Sequence, residues 1–303
     1  MAKRERGSIT NIKDAVVQQL DQNGNGELDI ADIIALAVKL PGIHINRDAF
    51  LKKELYKNHP EKVIEAAIAS TPAAAGIEEG EIEKIADEVI KYERNCVSGI
   101  SAALGTPGGW AMAATIPADI VQYYGYTLRA TQKLLYLYGF PEIDSEEEGI
   151  QLDHETLNTI ILCLGVMNGV AGANNAIKGM AKALAVGVEK KLLNAALTKG
   201  AFYPFVKKTM TWFGIKLTKT VFAGFFKKAI PVIGGVVGGG ITYMSFKPCC
   251  YRLKEALSDT MLSNPKHVAS EGENAVFDSI ITGEFDDSIL GDNEDYIVTG
   301  DEE

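Results

Sequence analysis

Cysteine and histidine are too few and too scattered for most site chemistry. Cys96, Cys163, Cys249 and Cys250 make no CxxC pair, so neither a disulfide framework nor a zinc site is indicated, and a reducing, cytoplasmic home fits best. His44, His59, His154 and His267 stand in no His-x-x-x-His spacing, and there is no nucleophile elbow. The basic opening MAKRERGSIT is not followed by an apolar segment, which argues against a secretory signal. The run Ala229–Phe246 holds 18 residues without charge, only the lower edge of what spans a bilayer. Pro231 and five glycines weaken it further as a spanning helix, since each glycine costs about 1 kcal/mol against alanine. A buried, close-packed hairpin is the expectation.

Charge of one sign is missing from two long stretches. Residues 190–254 carry 12 Lys and Arg and no acid, while residues 271–303 carry 12 acids and no Lys or Arg. The net charge of −10 hides this segregation. The acid-free block points to an anionic partner, with a solvated face as the plainer reading. Nucleic acid is a poor candidate, because the acidic flanks would repel a phosphate backbone. Otherwise the values are those of a globular chain: 47% hydrophobic and 23% charged over 303 residues, enough for one large or two unequal domains.

Ser8 caps an expected helix, Ile9–Leu20, with Ile12, Val16, Val17 and Leu20 in one stripe. Then comes Asp21-Gln-Asn-Gly-Asn-Gly-Glu-Leu-Asp-Ile-Ala-Asp32, followed by a helix through about Leu40. Oxygen-bearing side chains recur at Asp21, Asn23, Asn25, Asp29 and Asp32, Glu27 can add its backbone carbonyl, and Gly26 sits where a sharp bend is needed. This spacing resembles an EF-hand calcium loop. Asp32 stands where that family usually carries a longer, bidentate Glu, so the resemblance implies weakened Ca2+ binding or acceptance of Mg2+. The plainer reading is a connector rich in Asx turns. No second loop of this spacing exists, and a degenerate, metal-free helix pair within Asp48–Ala69 is the expected companion.

Arg47–Tyr56 and Glu61–Ala69 have helical patterns, and Ser70-Thr71-Pro72 looks like a fresh helix start at a domain boundary. Glu81–Leu104 is a long helix burying Ile82, Ile85, Val89, Val97 and Ile100. Gly105–Gly109 is a tight interhelical turn, since no Gly-Lys-Ser/Thr follows to make a phosphate loop. A helix over Pro117–Tyr138 starts on proline, with Asp119 in its first turn where it complements the dipole. Asp119, Gln122, Tyr126, Arg129 and Lys133 share one face, which either meets water or lines a polar cleft. Ser145 and Glu148 signal a capping box before a helix from Leu152, in which Gly165, Gly169 and Gly172 form a strip for close approach.

Lys207, Lys208, Lys216, Lys219, Lys227 and Lys228 interleave with Phe205, Trp212, Phe213, Phe222, Phe225 and Phe226. That composition suits an anionic bilayer surface, or a globular helix that buries its aromatics. Cys249-Cys250 offers a palmitoylation site, with two buried thiols as the simpler reading. Three short units follow, beginning at Phe277, Phe285 and Tyr296 and ending in Gly-acid at Gly283, Gly291 and Gly300. They hold too few apolar residues for a core, so the tail is expected to be mostly disordered, acting as an interaction segment or docking on the chain's own basic block.

Gly108-Gly109, Pro117-Ala-Asp119-Ile, Tyr138-Gly139 before Pro141, and Ile230-Pro231-Val-Ile-Gly-Gly together resemble the EcsC protein family of bacteria, over about residues 75–258. The resemblance implies an α-helical domain with a link to membranes or transport machinery, and supplies no catalytic residues. The expected fold is all-α: an EF-hand-like region at 1–72, a multi-helix domain of Gly-rich, close-packed helices at 73–258, and an acidic tail at 259–303. The expected function is calcium-ion binding by a nonenzymatic helical protein, peripheral to an anionic membrane surface or bound to a membrane protein. The alternatives are an enzyme with a polar cleft around Asp119 and Arg129, and an adaptor acting through its tail.

Overall fold

Apolar residues at helical spacing set up each element, and caps end them. The computed structural model describes residues 18–21, 29–106, 112–143, 153–213, 233–264, 266–285 and 287–290. Helix α1 (Ile30–Ala37) buries Ile30, Ile33, Ile34 and Ala37, and α2 (Arg47–Leu55) is capped by Asn46, whose side chain accepts from the Ala49 amide at 2.8 Å. After α3 (Glu61–Ala69) come two long helices, α4 (Glu79–Gly105) and α5 (Met112–Leu137). Shorter ones follow: α6 (His154–Met167), α7 (Ala173–Ala185), α8 (Lys190–Thr198) and α9 (203–213). The long α10 (Ile233–Ser258), α11 (Glu271–Thr282) and a 3-10 turn (Asp287–Leu290) complete the order. Among the described residues there is no strand.

The centre is α4, with α10 and α5 laid antiparallel along it. Gly239 of α10 meets Ala102 and Ser98 of α4, while Lys254, four turns further on, reaches Asp87 at 2.8 Å. On the α5 side, Asp119 meets Ser101 and Arg129 meets Glu93. Helices α1 and α2 pack on α5, and α11 packs on α7.

Several boundaries differ from the pattern-based expectation. Helix α5 begins at Met112, so Pro117 lies inside it and Asp119 is not in the first turn; the missing proline N–H costs one bond, and packing on α4 carries the helix across it. Pro72 starts only a single turn, closed by Gly76 at φ 83°, and the next helix waits until Glu79. Gly169 and Gly172 do not form a strip: both take positive φ in the turn between α6 and α7, and the close contacts are made by Gly165 on Thr209 and by Gly172 on Phe205 and the Leu290 carbonyl. Ile233–Phe246 is no hairpin but the first part of α10. Ile33 and Phe50, Val97 and Leu134, and Val276 and Ile280, which fall in the three expected parts, belong to one apolar cluster.

The acidic tail is the largest correction. Ser270 caps α11, its hydroxyl accepting from the Glu273 amide at 3.2 Å. Val276 and Ile280 are buried, and Gly179 of α7 lets Val276 sit close. Composition hid a helix that buries Val276 and Ile280 together with Glu273 and leaves Glu271 and Asp278 exposed. Beyond it, Phe285 meets Phe205 edge-on at 5.8 Å, and Lys208 Nζ donates to the Leu290 carbonyl at 3.0 Å. The unit at Tyr296 lies outside the described residues, as do Lys216, Lys219, Phe222, Phe225, Phe226, Lys227 and Lys228. In the described part of the basic stretch, Phe205 and Phe213 are buried.

His267 fastens α11 to the core. Its side chain is 2% exposed, with Nδ1 2.8 Å from Asp259 Oδ1 and Nε2 2.7 Å from Glu273 Oε2. Asp259 also receives Lys178 at 2.7 Å. Only the doubly protonated ring donates to both carboxylates. Burial pulls the ring toward its neutral form, but the hydrogen bonds to Asp259 and Glu273 outweigh it and raise its pKa above 6.5. A raised folded value contributes stability that is complete below the unfolded pKa and lost as pH rises through the folded one. Hydrogen exchange in α11 is therefore expected to accelerate as pH is raised from about 6 to 9 beyond the intrinsic rate increase, and His267→Gln removes that excess.

Candidate functional site

The loop singled out by spacing is described only at its ends. Asp21 is half-buried where the preceding helical residues stop, and Asn23, Asn25 and Glu27 lie outside the described residues. Asp29 is the N-cap of α1: its Oδ1 accepts from the Asp32 amide at 3.0 Å, while Asp32 Oδ2 accepts from the Asp29 amide at 3.4 Å. This reciprocal capping box starts the exit helix at Ile30. Asp32 is buried, at 4% exposure. Among the described residues no three His, Cys, Asp or Glu side chains converge as a metal centre.

The connection from α1 to α2 is clamped onto α5. Gln132 donates to the Ile43 carbonyl at 2.9 Å and accepts from the Ile45 amide at 3.0 Å. Arg129 Nη1 donates to the Gly42 carbonyl. Arg47, also buried, donates to the carbonyls of Phe140, Ile68 and Ser70, tying together the ends of α5 and α3.

The polar face of α5 turns toward α4, neither to water nor to a shared cleft. Glu93 of α4 is fully buried, held by Lys133 Nζ at 2.6 Å and Arg129 Nε at 3.1 Å. Further along, the Ser101 hydroxyl donates to Asp119 at 2.6 Å and accepts from Gln122 at 3.3 Å and from Thr242 of α10 at 3.2 Å. Asp119 and Arg129 thus belong to two different polar nodes, ten residues and about 15 Å apart along the axis. An apolar cavity of about 480 Å³ lies elsewhere, lined by Leu135, Ile143, Met180, Leu184 and Leu193 among others.

Glu93, Ser101 and His267 were not found from the pattern. For Glu93 a signal existed: it falls between Val89 and Val97 on the buried stripe of α4, where an acid needs a partner. Ser101 and His267 gave none: the partners of Ser101 lie on other helices, and those of His267, Asp259 and Glu273, are near in sequence but reach its two ring nitrogens only through the path of the chain between α10 and α11. Cys163, Cys249 and Cys250 are poor nucleophiles here. Burial pushes Cys163 up to about 12 and raises Cys249 and Cys250, leaving all three protonated near neutrality.

These elements define an all-α protein organised on three long helices, α5 and α10 each running antiparallel to α4. No protein-family model matches the chain, and no curated protein or solved structure does either.

Proposed function

We propose that this chain is a calcium-ion-binding, nonenzymatic helical protein of the EcsC type that works at the surface of an anionic membrane. The ion is held by Asp21, Asn23, Asn25, Asp29 and Asp32 with the Glu27 carbonyl. The observation that carries the reading is the twelve-residue oxygen spacing running into a helix whose first turn is set by Asp29 and Asp32. Because α1 packs on α5 and the connector behind it is clamped by Arg129 and Gln132, closing the loop bears on the central helices. Mg2+ is a competing occupant, since the short Asp32 reaches a bidentate geometry less easily than Glu. The membrane half rests on the acid-free stretch 190–254.

Calorimetric titration of the full chain with Ca2+ and with Mg2+ tests it. The parent is expected to give a saturable heat with Ca2+, lost in Asp21→Ala and in Asp21→Ala/Asp32→Ala. Indistinguishable heats for parent and variants would end the metal reading. Asp21→Ala leaves the α1 cap intact, so its loss of heat would not reflect a melted helix.

A further inference from the structure

Charge along the three long helices is layered. In α4 the acids Glu79, Glu81, Glu83, Asp87 and Glu88 come first, with Lys84 among them, then Lys91 and Arg94, and from Asn95 to Gly105 nothing is charged. The remaining acid, Glu93, is buried between two cations. In α10 the order runs the other way: Ile233–Phe246 is uncharged, Lys247, Arg252 and Lys254 follow, and Glu255 is the first acid. In α5, Asp119 is the lone charge before Arg129 and Lys133, and it accepts from Ser101.

Antiparallel packing sets the uncharged segments of α4 and α10 side by side, and the cations of each helix meet the neighbouring level of the other. Gly239 lies on Ala102, the Arg94 guanidinium stacks 3.9 Å from the Tyr243 ring centroid, and Lys254 meets Asp87. Among the described residues, one end of the bundle is therefore uncharged on α4 and α10 and carries Asp119 as the single acid of α5; cations form the next level, and acids lie beyond on α4 and α10. Large apolar side chains stand in solvent at that end: Met244 is 77% exposed, and Tyr243 and Ile241 are 45% and 42% exposed. Gly99 and Gly240 face open space beside them. Lys91 and Lys247 are exposed at the cationic level.

We propose that this uncharged end dips into the interfacial layer of an anionic bilayer, with Ile241 and Met244 entering and Lys91, Arg94 and Lys247 meeting lipid phosphates. This rests on the membrane reading above and names the surface that performs it. Six residues separate Ile241 from Lys247, about 9 Å along the axis, so the exposed apolar residues lie within an interfacial depth of about 5–10 Å of the cationic level. Tyr243 sits at the boundary, where an aromatic ring with a polar tip is favoured. Among the described residues no helix is long and apolar enough to cross a membrane, so the end dips rather than spans. A second copy is the poorer occupant, because it would set one cationic collar against another.

Flotation of the full chain with phosphatidylglycerol/phosphatidylcholine vesicles and with phosphatidylcholine alone, with and without Ca2+, tests the placement. The parent is expected to float with the anionic vesicles and far less with the neutral ones. Met244→Asp and Lys247→Glu each lower the bound fraction about tenfold, with unchanged thermal melting because both side chains are exposed. Tyr56→Asp, at a comparably exposed apolar residue on the C-cap of α2, floats like the parent. If the parent floats and Met244→Asp floats equally, the placement is wrong while the membrane reading stands. If the parent floats with neither vesicle, both are wrong. Equal flotation on neutral vesicles, or self-association of the parent that Met244→Asp abolishes, also overturns the proposal.

Discussion

Replacing Glu93 by Gln is expected to lower the unfolding free energy by about 3–5 kcal/mol, the range for removing one partner of a buried ion pair. Glu93 is fully buried, and the cations it holds, Arg129 and Lys133, are 20% and 13% exposed. Little water is therefore available to replace the lost carboxylate. The amide keeps the size but not the charge, and two buried cations are left facing each other. Urea denaturation reads this as a lower midpoint at unchanged slope. The triple variant Glu93→Leu/Arg129→Met/Lys133→Leu should recover most of the loss, since a packed apolar replacement of a buried ionic cluster is often neutral. Recovery short of the parent would measure the clamp that Arg129 places on Gly42. A cost for Glu93→Gln within error of zero would show that the cluster contributes nothing to stability.

The second large effect comes from two adjacent glycines with opposite signs. A Cβ on Gly239 would stand 2.8 Å from Ala102 Cβ and 3.0 Å from the Ser98 carbonyl oxygen. The Ser98 oxygen is backbone of α4, so relief requires the two central helices to separate. Gly239→Leu should cost about 3 kcal/mol, the upper end for overpacking. One position on, Gly240 has no heavy atom within 4 Å of its would-be Cβ, so Gly240→Ala should gain close to 1 kcal/mol from helix propensity. Thermal denaturation of the two variants beside the parent checks both signs. A neutral Gly239→Leu would mean that the α4–α10 crossing is looser than its geometry states.

Much of the helical order was legible because its signals are local. Glu61–Ala69 appears with the bounds its pattern gave, and Arg47–Leu55 and Glu79–Gly105 differ by one or two residues. Proline and glycine misled where packing outweighed them. Pro117 looks like a helix start and Ile233–Phe246 looks too glycine-rich for one helix, yet both lie within long helices braced by α4. Of the candidate ligands, the pattern gave residue types and spacing, and the described residues place Asp29 and Asp32 as the cap of α1. The polar stripe of α5 was found, but its direction was not, because that depends on Glu93 and Ser101 in another helix.

What the sequence alone determined is the all-α class, the bounds of α2, α3 and α4 to within two residues, and the segregation of charge into blocks, each of which depends on residues within a turn or two of one another. Tertiary structure alone decided that α11 belongs to the core, that His267 and Glu93 are the buried charged nodes, and that the uncharged parts of α4 and α10 share one end. Those outcomes depend on contacts between separate elements, from Glu93 with Arg129 and Lys133 on the next helix to Gly239 with Ala102 at the α4–α10 crossing. Periodicity tells which face of a helix is apolar, but not which distant face it will meet.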